Sequence, residues 1–349
     1  MNDLFTKTDY SLYSNSMSFL RLPYIRNPVS ADADVVVLGV PLDMATSGRP
    51  GARMGPDAIR RASVNLAWEG KKFPWDFNVL DKLKALPKLV EELNITQPGA
   101  ALTLSIAFTK SFWQHLNVDA PEELIDFTQL GEGDIVAPAT DVDVLIHCHS
   151  TRHDLHFYVL RKFLEETAED VTIVDETYGY RYLDARDMTD FIDGTENPKG
   201  EARADVALVK AGPFAGGSYV MAQRFEHNLA AWNRLNVKAQ EKVIGRTKPD
   251  SIELEDVPAA SHVGRVDIKE EGKGLKIVRH SLPYGTVTGP HGLLFISYCN
   301  TLHNIKVMLE SMYGVTDGKT DQMLRFTTAV TGAYFFAPSQ EMLAELAIK

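Results

Sequence analysis

The stretch DFIDGTENP at residues 190–198 places a carboxylate, Asp193, among apolar and turn-forming residues. Asp-Gly and Asn-Pro are turn dipeptides, so the local pattern alone favours a role for Asp193 in bending the chain. The alternative is an acid–base role, because a carboxylate held over a reactive centre can accept and return a proton. The choice between these interpretations depends on residues elsewhere in the chain.

The ten histidines are densest in HCHSTRHDLH, which contains His147, His149, His153 and His156. His153 and His156 lie three positions apart on a predicted helix, a spacing that some metal ligands have. No further element supplies a carboxylate at a matching spacing. The pattern therefore favours polar surface and helix-start histidines over a metal site.

Three other chemical motifs are incomplete. GGSYV lacks the final glycine of the hydrolase elbow, and no G-x-G-x-x-G joins a strand to a helix as in dinucleotide-binding folds. The glycine-rich loop TSGRPGARMGP lacks the G-x-x-x-x-G-K-[ST] spacing of a phosphate-binding loop. These motifs give no support to a hydrolase, a dinucleotide enzyme or a nucleotide-binding protein.

Composition limits the class of protein. The 349 residues suffice for two or three domains, and 44% hydrophobic with 24% charged residues is typical of a soluble globular chain. The net charge of −11 argues against nucleic acid or an anionic membrane surface as the partner. Two cysteines, Cys148 and Cys299, exclude a disulfide scaffold, and no apolar run is long enough for a membrane span. We expect a protein of the reducing cytoplasm.

Hydrophobic periodicity predicts an α+β protein. A buried strand is predicted at residues 35–40, followed by a glycine loop and a helix that starts at Pro56. Beyond residue 80 the order is α-β-β-α-β, with its last strand at 171–183, and the second half repeats this pattern from a strand at 202–212. Two tandem βαββαβ units predict a duplicated ferredoxin-like fold after a short α/β fragment. The first unit lacks an opening strand, which the 35–40 run could replace.

From about residue 85 to 349 the chain resembles the dye-decolorizing peroxidases of the cytoplasmic bacterial branch. The matching stretches, in order, are DFIDGTENP, GGSYVMAQRFEHNL, VIGRTK, SHVGRVD, GKGLKIVRHSLPYG and LRFTTAVTGAYFFAPS. The resemblance implies two ferredoxin-like units with antiparallel sheets enclosing one haem b. It also implies reduction of H2O2, through a ferryl intermediate, with porphyrinogen, phenolic or dye-like donors.

The resemblance further implies roles for single residues. His262 matches the proximal ligand of the haem iron, whereas His227 is interpreted as structural. Asp193 matches the distal acid–base residue, and Arg279 matches the arginine that favours its ionised form and stabilises charge on the leaving oxygen.

Two more residues complete the expected site. Ser281 would order distal water, and Thr195 joins His262 and Arg279 among the residues expected to bind the cofactor. Two positions depart from the family pattern. Asp190 stands where the motif G-x-x-D-G begins with glycine, which we expect to be tolerated if that residue needs no positive φ, and His280 follows the distal arginine.

Residues 1–79 resemble the N-terminus of agmatinase, a manganese ureohydrolase, through GVPLDMATSGRPGARMGPDAIRRASVNLAWEGKKFPW. The resemblance stops near Val79, before that family's metal-ligand motifs, so we expect no ureohydrolase activity. The expected domains are therefore 1–80, 81–200 and 201–349, the last carrying the haem ligand.

Two alternatives to an active peroxidase stay open, a haem-handling protein without significant turnover and a poorly active fusion product. The expected partners are H2O2 and a small electron donor. The expected assembly is a homo-oligomer, a dimer or larger.

Overall fold

A computed structural model describes residues 19, 37–42, 51–66 and 79–348. The chain divides into two compact units, Met1–Asn78 and Val79–Lys349. Among the described residues, no helix is long and apolar enough to cross a membrane.

The first unit contains one α-helix among its described residues, α1 (Gly55–Leu66), after a 3-10 turn at Ala52–Met54. Pro56 lies in the first turn of α1, where its missing N–H leaves no helical bond unmade, so the predicted helix start is confirmed. The predicted strand at 35–40 is wrong where it can be checked. Residues 35 and 36 lie outside the described residues, and residues 37–42 form no strand.

The apolar side chains of residues 37–42 are exposed rather than buried as predicted. Val37, Leu38, Val40 and Leu42 are 61%, 81%, 64% and 58% exposed. A strand needs a neighbouring strand to satisfy its backbone groups, and the described residues of the first unit supply none for this run.

The second unit supplies the remaining elements. Its helices are α2 (Val79–Thr96), α3 (Lys110–Trp113), α4 (His153–Thr167), α5 (Glu201–Ala207), α6 (Leu229–Trp232), α7 (Val237–Ile244), α8 (His262–Val266), α9 (Leu302–Met312) and α10 (Gln340–Glu345). Its strands are β1 (Thr103–Phe108), β2 (Leu130–Glu132), β3 (Ile135–Ala137), β4 (Val144–His149), β5 (Ser218–His227), β6 (Lys269–Glu270), β7 (Lys273–Gly274), β8 (Val278–Arg279), β9 (Leu282–Gly285), β10 (His291–Cys299), β11 (Thr327–Ala329) and β12 (Ala333–Ala337).

The main sheet is antiparallel and has the order β4-β1-β12-β5-β10-β8, with β9 also on β10 and β11 also on β5. In the second half of the chain, the neighbours β12, β5, β10 and β9 are strands 4, 1, 3 and 2 of a ferredoxin-like unit. The two halves join where Phe108 of β1 pairs with Phe336 of β12. The predicted α+β, ferredoxin-like fold class is confirmed.

The first ferredoxin-like half has α2, β1, β4 and α4 in the expected order, but no described strand precedes α2. The strand predicted at 171–183 is wrong apart from one bridge, between Gly179 and Tyr284. In the ferredoxin-like order the fourth strand pairs with the first. Within the described ranges, residues 171–178 therefore have no partner strand with which to pair.

The strand predicted at 202–212 is also wrong, because this stretch begins with helix α5. Three alanines among the seven residues of α5 favour a helix over a strand. The apolar residues that follow α5 run into a loop, which leads to β5.

The core lies on both faces of the main sheet. One face packs against α2, α4 and α9 through a large cluster that includes Phe108, Trp113 and Phe336. The other face carries a smaller cluster that includes Val220, Ile296 and Phe335. Strands apolar on both faces are typical of a sheet covered on both sides.

Phe336 anchors the junction of the two halves, since its fully buried ring contacts the rings of Trp113, Phe214 and Tyr219 at centroid distances of 6.0, 5.6 and 5.0 Å.

Truncation to Phe336→Ala is expected to lower the free energy of unfolding by about 3–5 kcal/mol, because it removes buried apolar surface and leaves a cavity. Phe157→Ala, at a ring 58% exposed, is the matched control and should change it by less than about 0.5 kcal/mol. Urea unfolding measures both variants, and equal losses would contradict this packing.

Candidate active site

The turn at residues 190–198 holds the Asp193 carboxylate in a defined position through hydrogen bonds. The Asp193 N–H donates to the Ala185 carbonyl at 2.8 Å, and Gly194, at φ 76°, donates its N–H to Asp193 Oδ1 at 2.6 Å. Arg279 Nη1 lies 3.5 Å from the same oxygen. The turn chemistry and the placement of the carboxylate thus occur together.

Asn197 is a positioning residue that the sequence did not single out. Its amide nitrogen donates to the Arg279 carbonyl at 2.8 Å, and its amide oxygen accepts from the Arg279 N–H at 2.9 Å. This double hydrogen bond ties the turn that carries Asp193 to the strand that carries Arg279. The only sequence feature that marked Asn197 was the Asn-Pro pair, which was interpreted only as part of a turn.

His262 begins α8, whose N-cap Ser261 accepts a hydrogen bond from the Gly264 N–H. Its Nδ1 lies 2.7 Å from Oδ2 of Asp321, a carboxylate with no exposed surface. Burial opposes a charge on the ring, yet the Asp321 carboxylate and its hydrogen bond outweigh burial and raise the pKa of His262. Within the described part of the chain, Nε2 has no hydrogen-bond partner.

The charges of Asp193 and Arg279 both act on the imidazole of His262. The Asp193 charge raises the pKa of His262 and the Arg279 charge lowers it. The three side chains are 29%, 26% and 32% exposed, so each is mostly enclosed but keeps an open side. The fold therefore brings together the three residues assigned to the two sides of the site.

Unpaired polar groups lie on the sheet face that carries Arg279. Arg279 pairs with Ser297, and Ser297 pairs with Met221, two residues from Gln223 on the same face. The hydroxyls of Ser281 and Ser297 and both amide atoms of Gln223 are buried without a partner among the described residues. Buried polar atoms of this kind need water or a bound polar group.

The remaining assigned positions lie near this centre. Thr195 is exposed and its hydroxyl lies 3.0 Å from that of Ser251. Asp190 has φ 67°, so the condition under which aspartate was expected to be tolerated at this position is not met. Aspartate tolerates the left-handed region because its short polar side chain can hydrogen-bond locally. Its carboxylate lies 3.2 Å from Lys248 Nζ.

His227 has both ring nitrogens in hydrogen-bonding contacts. Nδ1 lies 2.8 Å from the Thr327 hydroxyl and Nε2 lies 3.0 Å from Oδ1 of Asp187. These contacts leave no nitrogen for a metal, which agrees with the structural interpretation.

Comparison with known proteins identifies the family. The family model for Dyp-type peroxidase, C-terminal, matches residues 184–342, and that for Dyp-type peroxidase, N-terminal, matches residues 68–181. A dye-decolorizing peroxidase from Mycobacterium tuberculosis is 38% identical over 273 residues, which are 76% of this chain and 82% of the relative. The chain belongs to the Dyp-type peroxidase family.

Two solved structures resemble this peroxidase along most of their length. A dye-decolorizing protein from V. cholerae is 77% identical, with a TM-score of 0.77 over 77% of this chain and 91% of that chain. A variant of DypB from Rhodococcus jostii in complex with heme is 34% identical, with a TM-score of 0.74 over 77% of this chain and 90% of that chain.

The start of the chain matches a different family. The Arginase family model matches residues 33–97, and an agmatinase from Edwardsiella ictaluri is 59% identical over 80 residues. These residues are 23% of this chain and 26% of that agmatinase. The predicted resemblance of the N-terminal segment is confirmed, and it spans about a quarter of the enzyme it resembles.

A cluster of imidazoles lies beside the site of this peroxidase. The His280 ring lies 6.0 Å from that of His147 and 5.7 Å from that of His149, and the His147 Nδ1 lies 2.7 Å from the Tyr298 hydroxyl. Arg203 forms a hydrogen bond to His280. Within the part of the chain that the structure describes, no group of three or more His, Cys, Asp or Glu side chains has the geometry of a metal site.

The cluster disfavours protonation of its histidines. Burial, followed by the neighbouring His280, His149 and His156, lowers the pKa of His147 to about 3. Burial, followed by Arg203 and His149, lowers the pKa of His280 to about 4. Both rings are therefore neutral in the folded protein at neutral and mildly acidic pH.

The depressed pKa of His147 predicts a loss of stability in acid. Between pH 6.5 and about 3 the unfolded chain binds a proton at His147 that the folded chain does not, so the free energy of unfolding falls as pH falls. His147→Asn removes this difference in proton binding. It should therefore reduce the fall in the free energy of unfolding across that pH window by at least about 1 kcal/mol. The measurement is urea unfolding at a series of pH values.

The control for this experiment is His303→Asn, at an exposed histidine paired with Glu270. Its unfolding free energy should follow the wild-type pH dependence. A His147→Asn profile as steep as that of the wild type would contradict the account.

Proposed function

We propose that this peroxidase binds haem b through Nε2 of His262 and reduces H2O2 with Asp193 as the acid–base residue and Arg279 as its partner. The observation that carries the proposal is that a carboxylate-bound histidine and an aspartate–arginine ion pair lie near one another. His262 is held by a buried carboxylate through Nδ1, and an Asp193–Arg279 ion pair acts on the same imidazole.

The residues present fit a haem. An imidazole ligand of a metal usually donates its other N–H to a carboxylate, which fixes the ring and raises its basicity. Asp321 supplies that carboxylate at 2.7 Å from Nδ1 and leaves Nε2 for the iron. The unpaired hydroxyls of Ser281 and Ser297 supply polar groups for water or for the polar edge of the bound group. A haem in the R. jostii variant agrees with this proposal.

When bound, haem supplies the iron that binds peroxide and the redox chemistry that follows. Asp193 carries the proton: a carboxylate oxygen takes it from the near oxygen of H2O2 and delivers it to the far oxygen, directly or through one water. The Arg279 guanidinium, 3.5 Å from Asp193 Oδ1, stabilises the negative charge that develops as the O–O bond breaks.

Two further side chains have roles in the proposed site. Ser281 has a buried hydroxyl without a partner among the described residues, which suits the ordering of a water on the distal side. Thr195 lies two residues after Asp193 and shares a hydrogen bond with Ser251, and we keep its assignment to cofactor binding as a prediction. Asn197 and Asp321 act as positioning residues for Arg279 and His262.

The donors we propose are small phenolic, dye-like or porphyrinogen molecules that give up one electron at a time, and the place of action is the cytoplasm. The reducing compartment agrees with two cysteines that are both free. We also propose that residues 81–200 and 201–349 form the two ferredoxin-like domains and that residues 1–80 are a separate segment.

The double variant Asp193→Asn with Arg279→Ala tests the distal assignment. It should lower kcat/KM for H2O2 by at least about 100-fold, because it removes both the proton carrier and the stabilising charge. Haem binding should survive, since His262 and Asp321 are untouched. Steady-state oxidation of a phenolic donor gives the rate, and the Soret absorption gives the haem content.

Asp190→Asn is the matched control, because it removes a neighbouring carboxylate that pairs with Lys248 instead of Arg279. It should keep kcat/KM within about threefold of wild type. Full peroxide turnover in the double variant would contradict the distal assignment. A wild type that binds haem stoichiometrically but lacks turnover would favour a haem-handling protein.

A further inference from the structure

The motif SHVGRVD contains a charged side chain besides its histidine. Arg265 lies three residues after His262 on α8, so the two side chains are neighbours on the same side of the helix. The Arg265 side chain is only 6% exposed. A buried guanidinium needs an opposite charge and hydrogen-bond acceptors, so its partners define a contact that the fold must make.

Arg265 contacts the end of α9 and the loop that follows it. Its Nε donates to the carbonyl of Ser311, in the last turn of α9, at 2.9 Å. Its Nη1 and Nη2 donate to the two carboxylate oxygens of Asp317 at 3.0 and 2.8 Å, and Nη2 also donates to the Thr316 hydroxyl at 3.2 Å. Two parallel bonds of this kind give an arginine–carboxylate pair a defined geometry as well as strength.

Both members of this pair are charged at neutral pH. The hydrogen bond from Arg265 lowers the pKa of Asp317, whose carboxylate also accepts from the Lys319 N–H at 3.1 Å. The guanidinium lies at the C-terminal end of α9, where a positive charge is favoured by the helix dipole.

The loop that carries Asp317 leads directly to Asp321. Its two ends are joined by an antiparallel bridge between Tyr313 and Thr320. Next to this bridge, the Asp321 N–H donates to the Met312 carbonyl at 2.8 Å. The loop is therefore closed at its base, and a contact at Asp317 acts on the segment that positions Asp321.

Two pairs thus join α8 to the segment 317–321, and they lie about one helical turn apart. His262 contacts Asp321 at 2.7 Å, and Arg265 binds Asp317 through two hydrogen bonds. A helix of five residues is too short to be stable alone, so its position depends on such contacts. One contact would leave α8 free to turn about it, whereas two contacts fix both its place and its rotation.

We propose that Arg265 and Asp317 are positioning residues for the imidazole of His262, because their ion pair sets the rotation of α8 and with it the hydrogen bond from His262 to Asp321. A carboxylate on one ring nitrogen raises the basicity of the other, so this hydrogen bond controls how strongly the ring binds a metal. The inference rests on the proposed ligation of haem by His262. It gives a role to two residues that the peroxidase assignment leaves without one.

Two substitutions separate positioning from a general contribution to stability. Arg265→Lys keeps the positive charge but cannot reproduce the two-bond contact with one carboxylate. Asp317→Asn is the milder variant, because its amide oxygen still accepts one hydrogen bond, and it tests the inference if Arg265→Lys does not fold.

Proton–nitrogen NMR of the histidine rings tests the positioning in the full-length protein without haem. The resonance that disappears in His262→Ala identifies the Nδ1 proton that is bonded to Asp321. Its exchange with water should be at least about tenfold faster in Arg265→Lys and in Asp317→Asn than in the wild type, because the hydrogen bond opens more often.

Two controls accompany this measurement. Arg152→Lys changes an exposed arginine that also binds both oxygens of one carboxylate, that of Asp154. Leu343→Ala removes a buried side chain from α10 and should lower the urea midpoint. Both controls should keep the exchange rate of the His262 proton within about twofold of the wild type.

The haem-loaded protein tests the consequence for the ligand. Transfer of haem to an excess of a haem-binding acceptor protein should be about tenfold faster or more in Arg265→Lys and in Asp317→Asn, which is the scale on which loss of a supporting partner weakens a metal ligand. The iron–histidine stretching band of the ferrous protein should move to lower frequency, because the imidazole is less basic.

An unchanged exchange rate of the His262 proton in both variants would overturn the inference, whatever the haem result. An equal acceleration in Leu343→Ala would also overturn it, because the pair would then act through stability alone. Failure of the proposed ligation would look different. The wild type would lack a histidine-ligated Soret band, while faster proton exchange in Arg265→Lys would still support the positioning of the imidazole.

Discussion

The contact between His262 and Asp321 is the interaction on which the site depends. Asp321 has no exposed surface, and a carboxylate in that position is stable only with partners for its oxygens. His262 Nδ1 lies at 2.7 Å from one oxygen, and the Met323 N–H donates to the other at 2.8 Å. The pair fixes the imidazole at the start of α8 and so sets where its free nitrogen faces.

The distal residues are held in place by strands of the second ferredoxin-like half. Arg279 ends β8, which is anchored to β10 through the pair with Ser297, and Asn197 ties the Asp193 turn to that strand. Every residue assigned to the chemistry lies between 190 and 321, with Asp193 and Thr195 at the end of the first ferredoxin-like unit and His262, Arg279 and Ser281 in the second. Among the described residues, no strand pairs with the outer edge of β4 in the first half.

Periodicity predicted most elements of the fold, because amphipathic helices such as α4 and paired strands such as β1 and β10 carry their signals locally. The strand at 171–183 was predicted wrongly because, among the described residues, no strand occupies the place of its partner, and the apolar pattern of 171–183 does not depend on that partner. Asp193 was ambiguous from the residues alone, and only the family resemblance favoured a distal role. Asp321 and Asn197 were missed because their partners lie 59 and 82 residues away along the chain.

A haem titration followed by absorption tests the central claim, that His262 is the axial ligand. The wild type and His227→Gln should each saturate at one haem per chain with the same Soret band, because both ring nitrogens of His227 are engaged within the protein. His262→Ala should lose the histidine-ligated band. An unchanged band in His262→Ala would contradict the account and place the ligand on another residue.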